Sequence, residues 1–149
     1  MTYGPSRGRP GSRSAQAYAD IGLETQVLSA SPEHLITLLF RGAQTAVAKA
    51  KLYLQAGNIE GRGTAISKAI DIVDSGLMHS LDMETGGELA RNLKATYELI
   101  IRNLLLANLN ADLEKLELAE RLLAEIGDAW RSAVDPQRPD IAVNQQNIA

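Results

Sequence analysis

Cysteine is absent from the 149-residue chain, and its two histidines, His34 and His79, stand far apart. The first absence excludes disulfides, thiolate metal sites and cysteine nucleophiles; the second leaves almost no material for a histidine-based metal centre. Aromatic residues make up only 4% of the chain, with one Trp and one Phe, so an aromatic-rich β-sandwich is a poor reading. The longest apolar runs, Leu104-Leu105-Leu106-Ala107 and Leu38-Leu39-Phe40, fall far short of the ~20 residues that a membrane span needs. No membrane insertion is expected. The N-terminus lacks the apolar stretch of a signal peptide, which leads to the expectation of a cytosolic chain. No stretch alternates apolar and polar residues with period two for long, so strands are not expected either.

The charge is unevenly spread. The chain carries 15 Lys+Arg and 18 Asp+Glu, a net −3, but Arg7, Arg9 and Arg13 stand in the first 19 residues without an acid. Residues 20–149 therefore hold 12 basic and 18 acidic residues, a net −6. Such a body is a poor platform for nucleic acid, whose binding rests on clustered Lys and Arg. The basic arm reads as a solvated tail.

The chain is rich instead in Leu, Ile and Ala at helical spacing. Its length suits one domain with short tails. Residues 1–14 have Gly and Pro at intervals too short for a regular element and are expected to be disordered, and residues 135–149, opening Asp135-Pro136, read as a second disordered tail. Ser31-Pro32-Glu33 is a start signal: Ser caps orphan N–H groups, Pro suits the first helical position, and Glu suits the positive end of the dipole. From there apolar residues recur every three or four positions until Gly57-Asn58. A second helical pattern runs from Ala65 to Leu81, and Gly86-Gly87 separates it from a third. A turn is expected at Asn108–Asn110, with Asp112 beginning or capping the last helix, which runs from Leu113 through Trp130 to Ala133. Short connections between long helices predict antiparallel neighbours and an up-down bundle.

Residues able to carry chemistry are few. Gly57, Gly61 and Gly63 suggest a phosphate loop, but no Lys followed by Ser or Thr comes after the last glycine, and no strand precedes it. Asp71, Asp74 and Gly76 resemble a calcium loop only until Val73 falls on a ligand position. Asp82, Glu84 and Glu88 around Gly86-Gly87 read as helix-capping carboxylates. Neither histidine has a Glu three positions before it, as a di-iron bundle requires. His34, in a first helical turn, reads as solvated, and His79 as a helix-surface residue. No catalytic or metal-binding set is expected.

The apolar surface, in contrast, is in surplus. A bundle helix needs one stripe of about three residues in seven. The first helix has two adjacent stripes, one through Leu35 and Leu39 and one through Ile36 and Phe40. The third is apolar nearly all round from Leu99 to Leu109. Either this surplus is buried centrally, or part of it faces a groove that another helix fills.

Specific stretches resemble a known family. Ala17-Tyr18, Glu24-Thr25, SASPEHLITLLFRGA (29–43), GNIEGRGTAISKAIDIVDSGL (57–77), LDMETGGELARNLKATYELIIRNLLLAN (81–108) and LLAEIGDAW (122–130) are similar, in order, to the flagellar secretion chaperone FliS family. The resemblance covers residues 15–133. Its most specific parts are Leu81-Asp82, Gly86-Gly87-Glu88 and Ala90-Arg91-Asn92-Leu93, supported by Asp128-Ala129-Trp130. Two positions depart from the pattern: Phe40-Arg41 stands where Tyr-Asp is common, which reverses a charge, and Ala15 replaces a larger apolar residue.

The resemblance implies an antiparallel helical bundle that binds the disordered C-terminal segment of flagellin in the cytoplasm. Such a chaperone prevents premature polymerisation and assists delivery to the flagellar type III export apparatus, with no cofactor and no reaction. It implies that the surplus apolar surface is a groove, and that the N-terminal segment covers part of it. The expected architecture is all-α: a four-helix bundle over residues 15–134 with an additional short N-terminal helix, between the tails 1–14 and 135–149. The expected flagellin-binding residues are Tyr18, Ile21, Leu39, Phe40, Leu105 and Leu109. Further partners would be an export-gate protein and flagellar regulators. A second reading is a helical adaptor that binds a regulatory protein and escorts no export client.

Overall fold

The computed structural model describes residues 29–135. Within them the chain is all-helical: α1 (Pro32–Ala56), α2 (Ile59–Asp71), a π-helical continuation of α2 (Ile72–Met78), α3 (Gly87–Asn110) and α4 (Leu113–Ala133). The expected N-terminal helix, the expected tail 1–14, the expected tail 135–149 apart from Asp135, and the candidate residues Tyr18 and Ile21 lie outside the described residues.

Local chemistry fixes the helix ends. Ser31 Oγ accepts a bond from His34 N–H at 3.1 Å, and Pro32 opens α1. At the other end Gly57 adopts the left-handed region with φ 74°, which costs glycine little. Its N–H reaches Leu54 O at 3.2 Å, while Asn58 N–H reaches Tyr53 O at 2.9 Å. This pair of bonds is the Schellman closure. Asn58 at once caps α2 by accepting from Gly61 N–H at 2.8 Å, so two residues suffice to reverse the chain. The α3–α4 connection is equally short, and Asp112 Oδ1 caps α4 by accepting from Lys115 N–H at 3.3 Å. The expected turn over Asn108–Asn110 is displaced: α3 continues through Asn110, and Ala111 takes the left-handed residue with φ 51°.

The second connection is longer. Asp82 Oδ1 accepts from the N–H groups of Glu84 and Thr85, each at 3.1 Å, and its other oxygen accepts the Thr85 hydroxyl. These bonds favour the charged form and hold the Asp82 carboxyl below its ordinary value. Asp82 thus stabilises the loop that leads into α3; the N-cap position, Gly86, has no side-chain bond.

The π-helical continuation has a packing rationale. In an α-helix two residues five apart stand about 140° apart round the axis, because each residue turns about 100°. Wider i→i+5 turns bring such residues towards one face. Ile72 and Leu77 are five apart and both fully buried, with Ser75 and Gly76 buried between them.

Around the bundle the order is α1, α2, α3, α4, each helix packed on its sequence neighbours and α4 back on α1. The polar ties establish that neighbours run antiparallel. Lys51, near the end of α1, pairs with Glu120 at 3.0 Å and Glu117 at 3.7 Å on α4, and these carboxylates raise the lysine pKa. Arg62 at the start of α2 meets Asn108 near the end of α3. At the opposite pole Trp130 Nε1–H donates to Glu33 O at 3.1 Å. Asp135 Oδ2 lies 2.8 Å from His34 Nδ1 and accepts from Thr37 Oγ1 at 2.6 Å. His34 is therefore not the solvated residue expected: a carboxylate 101 positions away packs against it. Asp135, the first residue assigned to the tail, is itself buried.

The core is aliphatic, with Phe40 and Tyr97 the aromatic pair in it, their ring centroids 6.4 Å apart across the bundle from α1 to α3. Gly127 on α4 permits the close approach there: a Cβ added at that position would stand 3.3 Å from Phe40 Cβ and Cγ. Replacing Gly127 with Val should destabilise the fold by about 1–3 kcal/mol through overpacking, read as a lowered denaturation midpoint; an unchanged midpoint would place α4 farther from Phe40. Burial also pushes the Tyr97 phenol well above its ordinary value of 10.0. A group whose folded pKa is raised contributes stability that is complete below its unfolded value and lost as pH rises above it. Stability should consequently fall above pH ~10, and Tyr97→Phe should flatten that fall in denaturant titrations at neutral and alkaline pH.

Candidate protein-binding surface

Helix α1 lies between α2 and α4, and this explains its two apolar stripes. Both are consumed by neighbours: Leu39 is 0% exposed and Phe40 3%. The two candidate residues of α1 therefore sit in the core and are not part of the free surface. The surplus on this helix is burial on two flanks.

On α3 the outcome is different. Ile100, Leu104 and Ala107 are fully buried, whereas Leu105 is 55% exposed and Leu109 77%. Leu105 and Leu109 are four residues apart and so lie on one face, a turn from each other. Across from Leu109, the first turn of α2 presents Ile59, 69% exposed. Leu109 and Ile59 border a shallow groove between α2 and α3, with Gly63 and Asn108 in its floor.

A polar clamp holds the groove's walls in place. Arg62 Nε–H donates to Asn108 Oδ1 at 3.2 Å, and its Nη2 donates to Asn108 O at 3.0 Å. The guanidinium fork thus grips both the side chain and the carbonyl of one residue beside Leu109, a geometry that Lys cannot supply. Gly63 lies beside the Asn108 amide, and an added Cβ there would stand 3.9 Å from it, an ordinary contact.

Ile59 and Arg62 were not legible as site residues. Ile59 falls outside the repeat that begins at Ala65, and Arg62 reads from sequence as one more surface charge. Further exposed apolar side chains, Leu89 at 69% and Leu99 at 46%, extend along other parts of α3.

The arrangement is suited to binding, through apolar contact, a segment that brings its own apolar face. Among the described residues no group of three or more His, Asp or Glu side chains could hold a metal ion, and no helix is long and apolar enough to cross a membrane. The exposure of Leu105 and Leu109 sets their expected role in stability. Changing both to Ser should leave the melting temperature nearly unchanged, whereas Leu104→Ser should lower it steeply, since truncating one buried Leu costs about 2–5 kcal/mol. A collapsed melt of the Leu105/Leu109 variant would place these side chains in the core.

The wider likeness of the chain agrees with this architecture. The family model for the flagellar protein FliS matches residues 14–137. The flagellar secretion chaperone FliS of Salmonella typhimurium is 47% identical over 116 residues, 78% of this chain and 86% of its own length. That of Escherichia coli is 44% identical over 122 residues, 82% and 90% respectively. The flagellar secretion chaperone FliSB of Pseudomonas aeruginosa is 37% identical over 118 residues, 79% and 93%. With all of the described bundle inside the family match, the chain belongs to the FliS family of flagellar secretion chaperones.

Proposed function

We propose that this protein is a cytosolic export chaperone that holds the disordered C-terminal segment of flagellin, keeps it from polymerising prematurely, and hands it to the flagellar type III export apparatus. It works by binding alone, without a cofactor or a reaction. The observation that carries the reading is the row of exposed apolar side chains, Leu105 and Leu109 on α3 with Ile59 opposite, beside a clamp that fixes the groove's width.

The physical logic is burial of apolar area. Covering an exposed Leu or Ile returns about 1.5–3 kcal/mol, and a client helix must set such gains against the entropy of becoming ordered. Leu105, Leu109 and Ile59 are the first contacts of this reading. Tyr18 and Ile21 are further client contacts in this proposal, with Tyr18 gripping the client. Leu39 and Phe40 support the surface from behind, through the core. An export-gate protein and flagellar regulators are the further partners.

Calorimetric titration with a peptide of the flagellin C-terminal segment tests the reading. Binding is expected, with circular dichroism showing more helix in the mixture than in the separate components. The Leu105→Ser/Leu109→Ser variant should bind at least tenfold more weakly, a loss of about 1.4 kcal/mol or more, while melting normally. Failure of the wild-type chain to bind the peptide would overturn the proposal and leave the adaptor reading, in which a regulatory protein takes the groove.

A further inference from the structure

A second cleft, between α1 and α2, has the opposite chemistry. Arg41 and Lys49 on α1 and Lys68 on α2 stand round a floor made of Gly42, Ala46 and Ala65, and no acidic side chain lines it. Two cations elsewhere are matched: Lys51 pairs with Glu117 and Glu120, and Arg131 with Asp128. Among the described residues no ion pair engages Arg41, Lys49 or Lys68. Arg41 is half-buried, so part of its hydration is already lost with no counter-charge supplied.

This gathering runs against the overall sign of the domain. Residues 29–135 hold 15 acidic and 11 basic side chains, yet three of the cations share one cleft from which acids are missing. Such segregation focuses potential and attracts the opposite charge. The spacing adds geometry. Arg41 and Lys49 are eight residues apart on one helix, about 12 Å at 1.5 Å per residue. Carboxylates four and eight residues apart on a docking helix repeat over the same distance, and Lys68 meets them from the other wall. The Gly and Ala floor lets such a helix approach closely, since interaxial distance follows the side chains at the contact.

We propose that the α1–α2 cleft is a docking site for an acidic helical segment of a partner protein, recognised by Arg41, Lys49 and Lys68. The site is separate from the apolar groove between α2 and α3 and does not depend on what that groove binds.

The probe is a capped, Ala-based peptide of about 16 residues, long enough for partial helicity, with Glu at three positions four apart. It is titrated into the isotopically labelled full chain and followed by NMR. Saturable shifts centred on residues 41–49 and 65–68 are expected, absent with a peptide carrying Gln for Glu. Lys49→Glu/Lys68→Glu, both exposed residues, should weaken binding at least roughly tenfold, and a peptide with Lys for Glu should bind that variant in turn. Should the double reversal lower the melting temperature, Lys49→Gln/Lys68→Gln provides the same reading without added repulsion. The proposal is overturned if no shift saturates, if the Gln peptide binds equally, or if the shifts centre on α3.

Discussion

Ala46 and Ala65 line one cleft between α1 and α2, and Ala43, Ala50 and Ala69 lie in the same core. Small side chains along this contact let α1 sit close to α2 while its other flank packs on α4. With both flanks occupied, the two stripes of α1 are consumed, and its exposed apolar side chains, Leu52 and Tyr53, stand near its C-terminal end. The burial of Leu39 and Phe40 follows from that position, and so does the division of labour in the bundle. The helix diagonal to α1 is α3, and it carries four exposed leucines, Leu89, Leu99, Leu105 and Leu109.

Electrostatics follows the same plan. Lys51 ties one end of α1 to α4, and Trp130 with Asp135 ties the other. The pair involving Lys51 is surface-exposed and worth little in isolation. It joins α1 to α4 near one pole, while Gly127 meets Phe40 farther along α4. Arg62 likewise joins α2 to α3 through Asn108.

Helix boundaries were largely legible in the sequence, because caps act over three or four residues. Ser31, Gly57-Asn58 and Asp112 each perform the role their chemistry suggests. Long-range partners were not legible. His34 reads as solvated until a carboxylate from the far end of the chain is brought beside it, and nothing near His34 announces Asp135. The double stripe of α1 and the apolar half of α3 look alike as patterns, and only the number of packed neighbours separates burial from exposure. The π-helical stretch was hidden for a related reason: Ile72 and Leu77 share a face only if the turns widen. Leu105 and Leu109 were found through their surplus, whereas Ile59 and Arg62 gave no periodic signal.

The two-residue reversals at Gly57-Asn58 and Ala111-Asp112 also bear on the order of assembly. Each joins two long helices whose contacts are close in sequence, and contacts of low sequence separation form early because little chain entropy is lost in closing them. The molecule is thus two helical hairpins, α1–α2 and α3–α4, linked through the π-helical stretch and the Asp82 loop. Contacts such as Trp130 to Glu33 and Asp135 to His34, 97 and 101 residues apart, close only when the hairpins have met. The pole of the bundle beside the first turn of α1 is accordingly the last part to assemble, and local opening that begins at the C-terminal end of α4 reaches that turn before it reaches the groove at the opposite pole.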